Sequence, residues 1–188
     1  MTVRGPLRQL PNLITLARLL AVPVTVYLIL LGELVPAFWI FVAAGVSDAV
    51  DGLLAKRLNL VSEIGAYLDP LADKALLLGV FVTLGYVGQV PIWLVILIVF
   101  REVLIIGGAL LFQTITHALH MQPLFISKVN TAAQIALAAT VLARPALGVA
   151  LDSVPETLTA VVAMTTFLSG AAYVIKWGWM AVTMEPDE

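Results

Sequence analysis

Residues 91–112 read PIWLVILIVFREVLIIGGALLF, and this apolar run decides the class of fold. A helix needs about 20 mostly apolar residues to cross the hydrocarbon core of a bilayer. The run has that length, and Arg101 and Glu102 are its only charged residues. It therefore predicts a transmembrane helix.

Five further apolar runs have a similar length, so the chain predicts six transmembrane helices. The connections contain glycine and proline, which are typical of turns, as in LGELVP at 31–36 and GYVGQVP at 85–91. We therefore predict an all-α integral membrane protein, with residues 1–188 as a single domain and residues 1–11 as a cytoplasmic lead-in. The predicted spans cover residues 12–31, 36–56, 65–87, 91–112, 126–147 and 155–183.

The overall composition supports a membrane location and excludes other classes. Hydrophobic residues make up 61% of the chain, whereas about 45–50% is usual in soluble proteins. The absence of cysteine excludes disulfides and thiolate metal sites. A net charge of −2 provides no basic surface for nucleic acid. The expected partner is therefore the lipid bilayer, and no nucleic acid is expected.

The basic residues predict the orientation in the membrane. Cytoplasmic connections carry an excess of Lys and Arg, and the odd-numbered connections hold only Arg144. Both termini are therefore expected in the cytoplasm. The first segment runs into a full span without a cleavage site, and the lack of a targeting extension favours a bacterial inner membrane over a mitochondrial one. The basic residues on the predicted cytoplasmic side are Arg4, Arg8, Lys56, Arg57 and Lys128.

Four aspartates lie in the segment DAVDGLLAKRLNLVSEIGAYLDPLAD at 48–73. Asp48 and Asp51 end the second run, and Asp69 and Asp73 lie near the start of the third. The spacings of three and four residues place each pair on one helix face. Because four neighbouring carboxylates repel one another without cations, and because oxygen ligands favour hard ions, we predict two Mg²⁺ or Mn²⁺ ions at the cytoplasmic ends of helices 2 and 3.

The residues between the aspartates suit a phosphate-bearing substrate. Gly52 and Gly65 allow close approach of the backbone to a ligand, and Ala55 keeps the same helix face shallow. Lys56 and Arg57 supply positive charge for a diphosphate. Two metal ions in a carboxylate cluster suit displacement at phosphorus.

An ion- or proton-coupled transporter is the alternative of a different class. Ionisable residues inside membranes also mark transport pathways, but transporters tend to hold them near the midplane of repeated halves. The aspartates here lie at one membrane face, and the chain shows no internal repeat. An enzyme is therefore favoured.

At these residues the chain resembles the CDP-alcohol phosphotransferase (CDP-alcohol phosphatidyltransferase) family, whose signature is D-x-x-D-G-x-x-A-R-x8-G-x3-D-x3-D. Every spacing is intact, and Lys56 stands where the family has Arg. LPNLITLARLLAVP at 10–23 is also similar to the family's first span. The residues at the signature positions are Asp48, Asp51, Gly52, Ala55, Lys56, Gly65, Asp69 and Asp73, of which Lys56 alone departs from the signature.

The resemblance implies a reaction and residue roles. The four aspartates would hold two divalent metals, and Asp73 would also be the general base. Gly52, Ala55 and Gly65 would line the cytidine pocket, while Lys56 or its neighbour Arg57 would contact the diphosphate. An alcohol would attack the β-phosphorus of CDP-diacylglycerol and release CMP. The resemblance also implies a homodimer.

Two branches of the family differ in the acceptor alcohol. The branch that uses glycerol-3-phosphate typically has a second Arg where Ala109 stands and a second Lys where Asn130 stands. A phosphate with nearly two negative charges needs strong cationic anchoring, whereas phosphatidylglycerol carries one charge. PLFISKVNTAAQ at 123–134 is similar to cardiolipin synthases of the eukaryotic type. We therefore expect a cardiolipin synthase, with a phosphatidylglycerophosphate synthase as the alternative.

Four polar residues in the apolar runs are candidates for binding the acceptor. An arginine inside a span is a functional candidate by default, and Arg101 and Glu102 are expected to contact different partners because adjacent helical residues do not face each other. Gly107 and Gly108 would allow close helix approach. The acceptor-binding candidates are Arg18, Arg101, Lys128 and Asn130.

Overall fold

The computed structural model describes residues 10–58, 63–116, 124–148 and 154–183. Within these ranges it leaves undescribed the side chains of residues 10–13, 49–58 and 63–71 and of a few residues at other helix ends. The described part is all helical, as predicted, and each helix begins within two residues of its predicted start. The helices are α1 (Leu10–Leu30), α2 (Leu34–Leu58), α3 (Glu63–Tyr86), α4 (Ile92–Thr116), α5 (Phe125–Leu147) and α6 (Val154–Thr183).

Three of the described helices are long and apolar enough to cross a membrane. The stretches with sufficient length and apolar character are Ile92–Leu111 in α4, Phe125–Pro145 in α5 and Val154–Trp179 in α6. The apolar stretches described for α1 and α2, Ile14–Leu30 and Leu34–Asp48, are shorter. Membrane crossing by the first three helices therefore stays a prediction.

The chain folds into two compact units. Unit 1 comprises α1, α2, α3 and the second half of α5 from Ala138. Unit 2 comprises α4, the first half of α5 up to Leu137, and α6.

In unit 1, α1 packs against both α2 and α3. Ile29 and Phe81 are fully buried. Gly79 of α3 lies so close to Val22 and Val26 of α1 that a side chain there would crowd both valines. The missing side chain therefore lets these two helices approach closely.

Glycines end the first and third helices. Gly32 has φ 79° and Gly88 has φ 76°, a left-handed conformation that glycine adopts without steric cost. The next residues close the helix ends, because the Glu33 amide donates to the Leu28 carbonyl at 2.9 Å and the Gln89 amide to the Leu84 carbonyl at 2.8 Å. These contacts have the pattern of a helix-terminating glycine motif.

In unit 2, α4 packs against α6. Leu94 and Ile98 of α4 and Val162 of α6 are buried. Gly108 of α4 lies directly against the Trp177 ring, which leaves no space for a side chain. The glycine pair was predicted to allow close helix approach; at Gly108 the space is filled by the Trp177 ring of α6, and no atom of the described residues lies within 4 Å of a side chain added at Gly107.

The burial pattern differs from that of a soluble protein, because many large apolar side chains are exposed and several polar side chains are buried beside the apolar core. Large apolar side chains such as Phe100, Leu111 and Phe167 are exposed, and patches of this kind indicate contact with lipid or with other apolar surfaces. Polar side chains are inside, where they can form hydrogen bonds that lipid cannot offer. The buried polar residues described are Thr15, Arg18, Thr25, Thr83, Arg101, Glu102, Asn130, Gln134, Thr166 and Ser169.

Candidate functional site

Three charged side chains from three helices meet in unit 1. Arg18 lies on α1, Asp48 on α2 and Asp73 on α3. The Arg18 Nη1 atom is 3.0 Å from Asp48 Oδ1 and 2.8 Å from Asp73 Oδ1, to which it donates a hydrogen bond. We call these residues the Arg18 cluster.

The Arg18 cluster is buried at its centre and open at its edge. The Arg18 side chain is 1% exposed, whereas those of Asp48 and Asp73 are 47% and 43% exposed. A buried guanidinium needs nearby negative charge to offset the loss of hydration, and the two aspartates supply it. Partial exposure leaves both carboxylates accessible to a ligand. The structure thus connects Asp73 of α3 with Asp48 of α2 through Arg18.

The donor set of the Arg18 cluster fits a divalent cation. Carboxylate oxygens from two helices converge on a single nitrogen atom, so this position already accommodates positive charge. Carboxylate oxygen is the ligand type that Mg²⁺ and Mn²⁺ prefer. Among the side chains that the structure describes, no group of three or more histidine, aspartate or glutamate residues forms a complete site.

The other predicted donor and metal residues lie outside the described side chains. Their backbone is helical: Asp51, Gly52, Ala55, Lys56 and Arg57 are in α2, while Gly65 and Asp69 are in α3. Their roles remain predictions. The sequence predicts that Arg18 binds the acceptor, and it did not predict the pairing of Arg18 with the aspartates. A signal for this pairing was present, because Arg18 is the only charged residue in the first predicted span.

A second polar group surrounds Arg101 in unit 2. The Arg101 Nε and Nη2 atoms donate to Ser169 Oγ on α6 at 3.2 and 2.8 Å, and Nη2 also donates to Ser127 Oγ on α5. Nη1 donates to Glu102 Oε1. The expectation that Arg101 and Glu102 have different partners is therefore wrong, because the long arginine side chain can curve back to its neighbour.

Asn130 and Lys128 have different environments on α5. Asn130 is fully buried, and its Oδ1 accepts hydrogen bonds from Thr165 Oγ1 at 2.9 Å and Thr166 Oγ1 at 2.8 Å on α6. Lys128 is exposed. Within the described part of unit 2, the predicted acceptor residues are thus one buried arginine, one buried amide and one exposed lysine.

Several polar residues around these candidates were not predicted from the sequence. Ser127 and Gln134 lie three residues before and four residues after the predicted Asn130, which places all three on one face of α5. Ser169 and Thr166 have the same relation on α6. Polar residues at this spacing in apolar helices were the signal that could have found them.

Comparison of the sequence with known proteins identifies the family of the chain. The sequence profile for "CDP-alcohol phosphatidyltransferase" matches residues 8–184. The chain is 34% identical over 187 residues to "CDP-diacylglycerol--glycerol-3-phosphate 3-phosphatidyltransferase 1, chloroplastic" of Oryza sativa subsp. japonica, covering 90% of this chain and 57% of the relative. It is also 34% identical over 180 residues to "Cardiolipin synthase (CMP-forming)" of Rattus norvegicus, covering 87% and 60%.

A bacterial protein is similar over a shorter region. "CDP-diacylglycerol--glycerol-3-phosphate 3-phosphatidyltransferase" of Bacillus subtilis (strain 168) is 36% identical over 114 residues, which are 53% of this chain and 59% of that protein. This chain spans less than two thirds of the length of each of these three relatives. The profile nevertheless covers almost all of it, including both aspartates of the Arg18 cluster. The chain belongs to the CDP-alcohol phosphatidyltransferase family.

Proposed function

We propose that the protein transfers a phosphatidyl group from CDP-diacylglycerol to a hydroxyl of phosphatidylglycerol, giving cardiolipin and CMP in phospholipid biosynthesis. Membership of the family supports the transferase class, and similarity to the rat cardiolipin synthase supports the acceptor. The observation that carries the choice of acceptor is the charge of the buried polar group in unit 2.

The buried polar residues Arg101, Glu102 and Asn130 of unit 2 have no excess positive charge. The charge of Arg101 is offset by Glu102, with which it forms an ion pair, and Asn130 is uncharged. Burying an anion without compensating cations is costly. A phosphomonoester with nearly two negative charges would lack compensation here, whereas the single charge of phosphatidylglycerol demands less. The charge balance therefore supports a phosphodiester lipid as acceptor.

The Arg18 cluster supports a metal-dependent reaction in unit 1. We propose that Asp48, Asp51, Asp69 and Asp73 hold two Mg²⁺ or Mn²⁺ ions. When bound, such ions neutralise the diphosphate and stabilise the charge that develops during displacement. Gly52, Ala55 and Gly65 are proposed to contact the cytidine, and Lys56 or Arg57 the diphosphate.

The chain's own residues position the reactants and move one proton. We propose that the acceptor hydroxyl oxygen forms a bond to the β-phosphorus of CDP-diacylglycerol. The bond from that phosphorus to the bridging oxygen breaks, and CMP leaves with this oxygen. The hydroxyl proton passes to the Asp73 carboxylate, which acts as a general base. Because Asp73 accepts a hydrogen bond from the buried Arg18, its carboxylate is held in a defined orientation.

Two alternatives make different predictions. A phosphatidylglycerophosphate synthase would use glycerol-3-phosphate, and the relatives from rice and Bacillus subtilis carry names of that activity. A transporter would move ions or protons without producing CMP. The charge balance of the buried residues in unit 2 favours a lipid acceptor over glycerol-3-phosphate. The family match favours an enzyme over a transporter.

We propose an integral membrane location for all six helices. The basic residues of the amino-terminal segment and of the even-numbered connections support a cytoplasmic position for the aspartates, and we propose the inner membrane of a bacterium as the location. We also propose a homodimer, as the resemblance implies.

The direct test is CMP release by the purified protein in detergent with CDP-diacylglycerol and Mg²⁺. Phosphatidylglycerol and glycerol-3-phosphate are compared as acceptors. Release with phosphatidylglycerol alone is expected, because the neutral group in unit 2 lacks charge for a dianion. Release with glycerol-3-phosphate alone would overturn the proposed acceptor, and ion flux without CMP would overturn the enzyme.

A lysine at position 130 should shift the acceptor preference. Asn130→Lys adds a buried cation, and a hydrogen bond to a charged group contributes about 1.5–3 kcal/mol, so the preference for glycerol-3-phosphate over phosphatidylglycerol should rise by about 10-fold or more. The measurement is the ratio of kcat/KM for the two acceptors. Thr131→Lys is the control, because Thr131 is the next residue on α5 and is exposed. An unchanged ratio in a folded Asn130→Lys variant would count against the charge argument.

A further inference from the structure

Arg18 places a permanent positive charge inside the aspartate cluster of unit 1. A guanidinium stays protonated at all physiological pH values. Its Nη1 atom lies 3.0 Å from Asp48 Oδ1 and 2.8 Å from Asp73 Oδ1. The side chain is 1% exposed, and it comes from α1, which packs against both α2 and α3. Its burial between these helices therefore keeps the charge in the site.

The two carboxylates are shared between Arg18 and any ligand that approaches from solvent. One oxygen of each faces the guanidinium, and the side chains of Asp48 and Asp73 are 47% and 43% exposed. A divalent ion bound by both carboxylates would be a close neighbour of the guanidinium. Like charges repel strongly where little water screens them. Arg18 therefore opposes a metal ion that Asp48 and Asp73 would share.

The charges of the proposed metal site limit the number of ions that the free protein holds. The four aspartates proposed as ligands carry four negative charges, and Arg18 offsets one of them. One divalent ion leaves a single negative charge, whereas two ions leave a single positive charge. Excess charge in a partly buried site is costly unless a counter-charge accompanies it. The second ion therefore needs an anion from outside the protein.

The donor substrate can supply this anion. The diphosphate of CDP-diacylglycerol carries one negative charge on each of its phosphate groups. With the diphosphate bound, a site with two ions has a single negative charge again, as the free protein has with one ion. Phosphate oxygens also suit the ion itself, because Mg²⁺ is commonly bound by one or two carboxylates together with phosphates of the substrate.

We propose that the free protein binds one divalent ion tightly, and that Arg18 prevents tight binding of the second ion until CDP-diacylglycerol is present. The inference rests on the metal site of the proposed function and extends it to the order in which the ions and the donor bind. Arg18 is then a positioning residue, which acts through the ions that Asp48 and Asp73 hold.

The experiment counts the Mn²⁺ ions bound per chain. Purified protein in detergent is titrated with Mn²⁺, and the free ion is followed by its EPR signal. The titration is made without ligand, with the uncharged nucleoside cytidine, and with CDP-diacylglycerol in the absence of any acceptor. The wild type is expected to bind about one ion in the first two titrations and about two with the lipid, because only the lipid brings a counter-charge. Detergent micelles with CDP-diacylglycerol and no protein correct for ions held by the lipid alone.

Arg18→Gln should bind the second ion without the lipid. Removal of one positive charge lets two divalent ions balance the four aspartates, so the Kd of the second ion without lipid should fall by about 10-fold or more. Arg18→Lys keeps the charge and should behave as the wild type. The matched control is Arg144→Gln, which removes an exposed arginine of α5 and should leave both ions unchanged.

The outcomes separate this inference from the proposed metal site. A wild type that binds two ions with similar affinity in the absence of the lipid would overturn the binding order and leave the metal site standing. A folded Arg18→Gln variant whose second ion still requires the lipid would overturn the role of Arg18. If neither the wild type nor the variants bind Mn²⁺ with or without the lipid, the metal site of the proposed function fails and this inference fails with it.

Discussion

Asp73→Asn should reduce CMP release by about 10³-fold, because loss of a general base typically costs 10²–10⁴-fold and because an amide is also a poorer ligand for a divalent cation. Asparagine keeps an oxygen that can accept the hydrogen bond from Arg18 Nη1, which is 2.8 Å from the aspartate oxygen. The helices of unit 1 should therefore still pack. The measurement is CMP release at saturating CDP-diacylglycerol together with the thermal unfolding midpoint.

The control for Asp73→Asn is Glu33→Gln. Glu33 is an exposed carboxylate in the turn between α1 and α2, so the same chemical change there should leave both activity and stability near those of the wild type. Asp73→Asn protein that is folded and releases CMP at the wild-type rate would refute the assignment of Asp73 as the base. A loss of activity that merely follows a loss of folded protein would fail to support it.

Arg18→Gln should make the protein dependent on Mg²⁺ for its stability. Without the guanidinium, the carboxylates of Asp48 and Asp73 repel each other in the absence of a metal. Because both are partly exposed and screened by solvent, we expect a loss of about 1–3 kcal/mol. For a chain of this size, that loss lowers Tm by about 5 °C. Added Mg²⁺ should restore the lost stability of Arg18→Gln, since it replaces the missing positive charge.

The same substitution should tighten Mg²⁺ binding, because a neighbouring cation repels the metal ion. Thermal unfolding midpoints are measured in EDTA and across a Mg²⁺ titration for the wild type, Arg18→Gln and Arg18→Lys. Lysine keeps the charge and should lie close to the wild type. Arg144→Gln removes an exposed arginine of α5 and is the matched control. A loss of stability in Arg18→Gln that Mg²⁺ does not reverse would show that the arginine is a structural tie with no relation to a metal site.

The helices were predictable because their signal is local. Apolar runs of span length and the turn residues between them predicted each helix start to within two residues. The aspartate signature and its spacing likewise predicted the family, which the profile match confirms. Both depend on residues close together in the chain, where periodicity and motif spacing carry the information.

The partners of the charged residues were not predictable in the same way. The role of Arg18 in acceptor binding stays a prediction, whereas its ion pairs with Asp48 and Asp73 became visible only in the structure. Arg101 and Glu102 were expected to have separate partners, yet they form an ion pair. A long arginine side chain can reach several positions around a helix, and the choice depends on which neighbouring helices offer acceptors.

The sequence by itself determined the helical class, the positions of the turns and the family with its aspartates. These follow from composition and from spacing along the chain. Only the tertiary structure decided which buried polar groups are paired. It joined Asp48 and Asp73 through Arg18, held Arg101 with Ser127 and Ser169, and left Asn130 Nδ2 and Gln134 Nε2 on α5 without described partners. The physical reason is that hydrogen-bond satisfaction in a packed bundle depends on side chains from different helices, and their meeting points are set by packing and not by sequence distance.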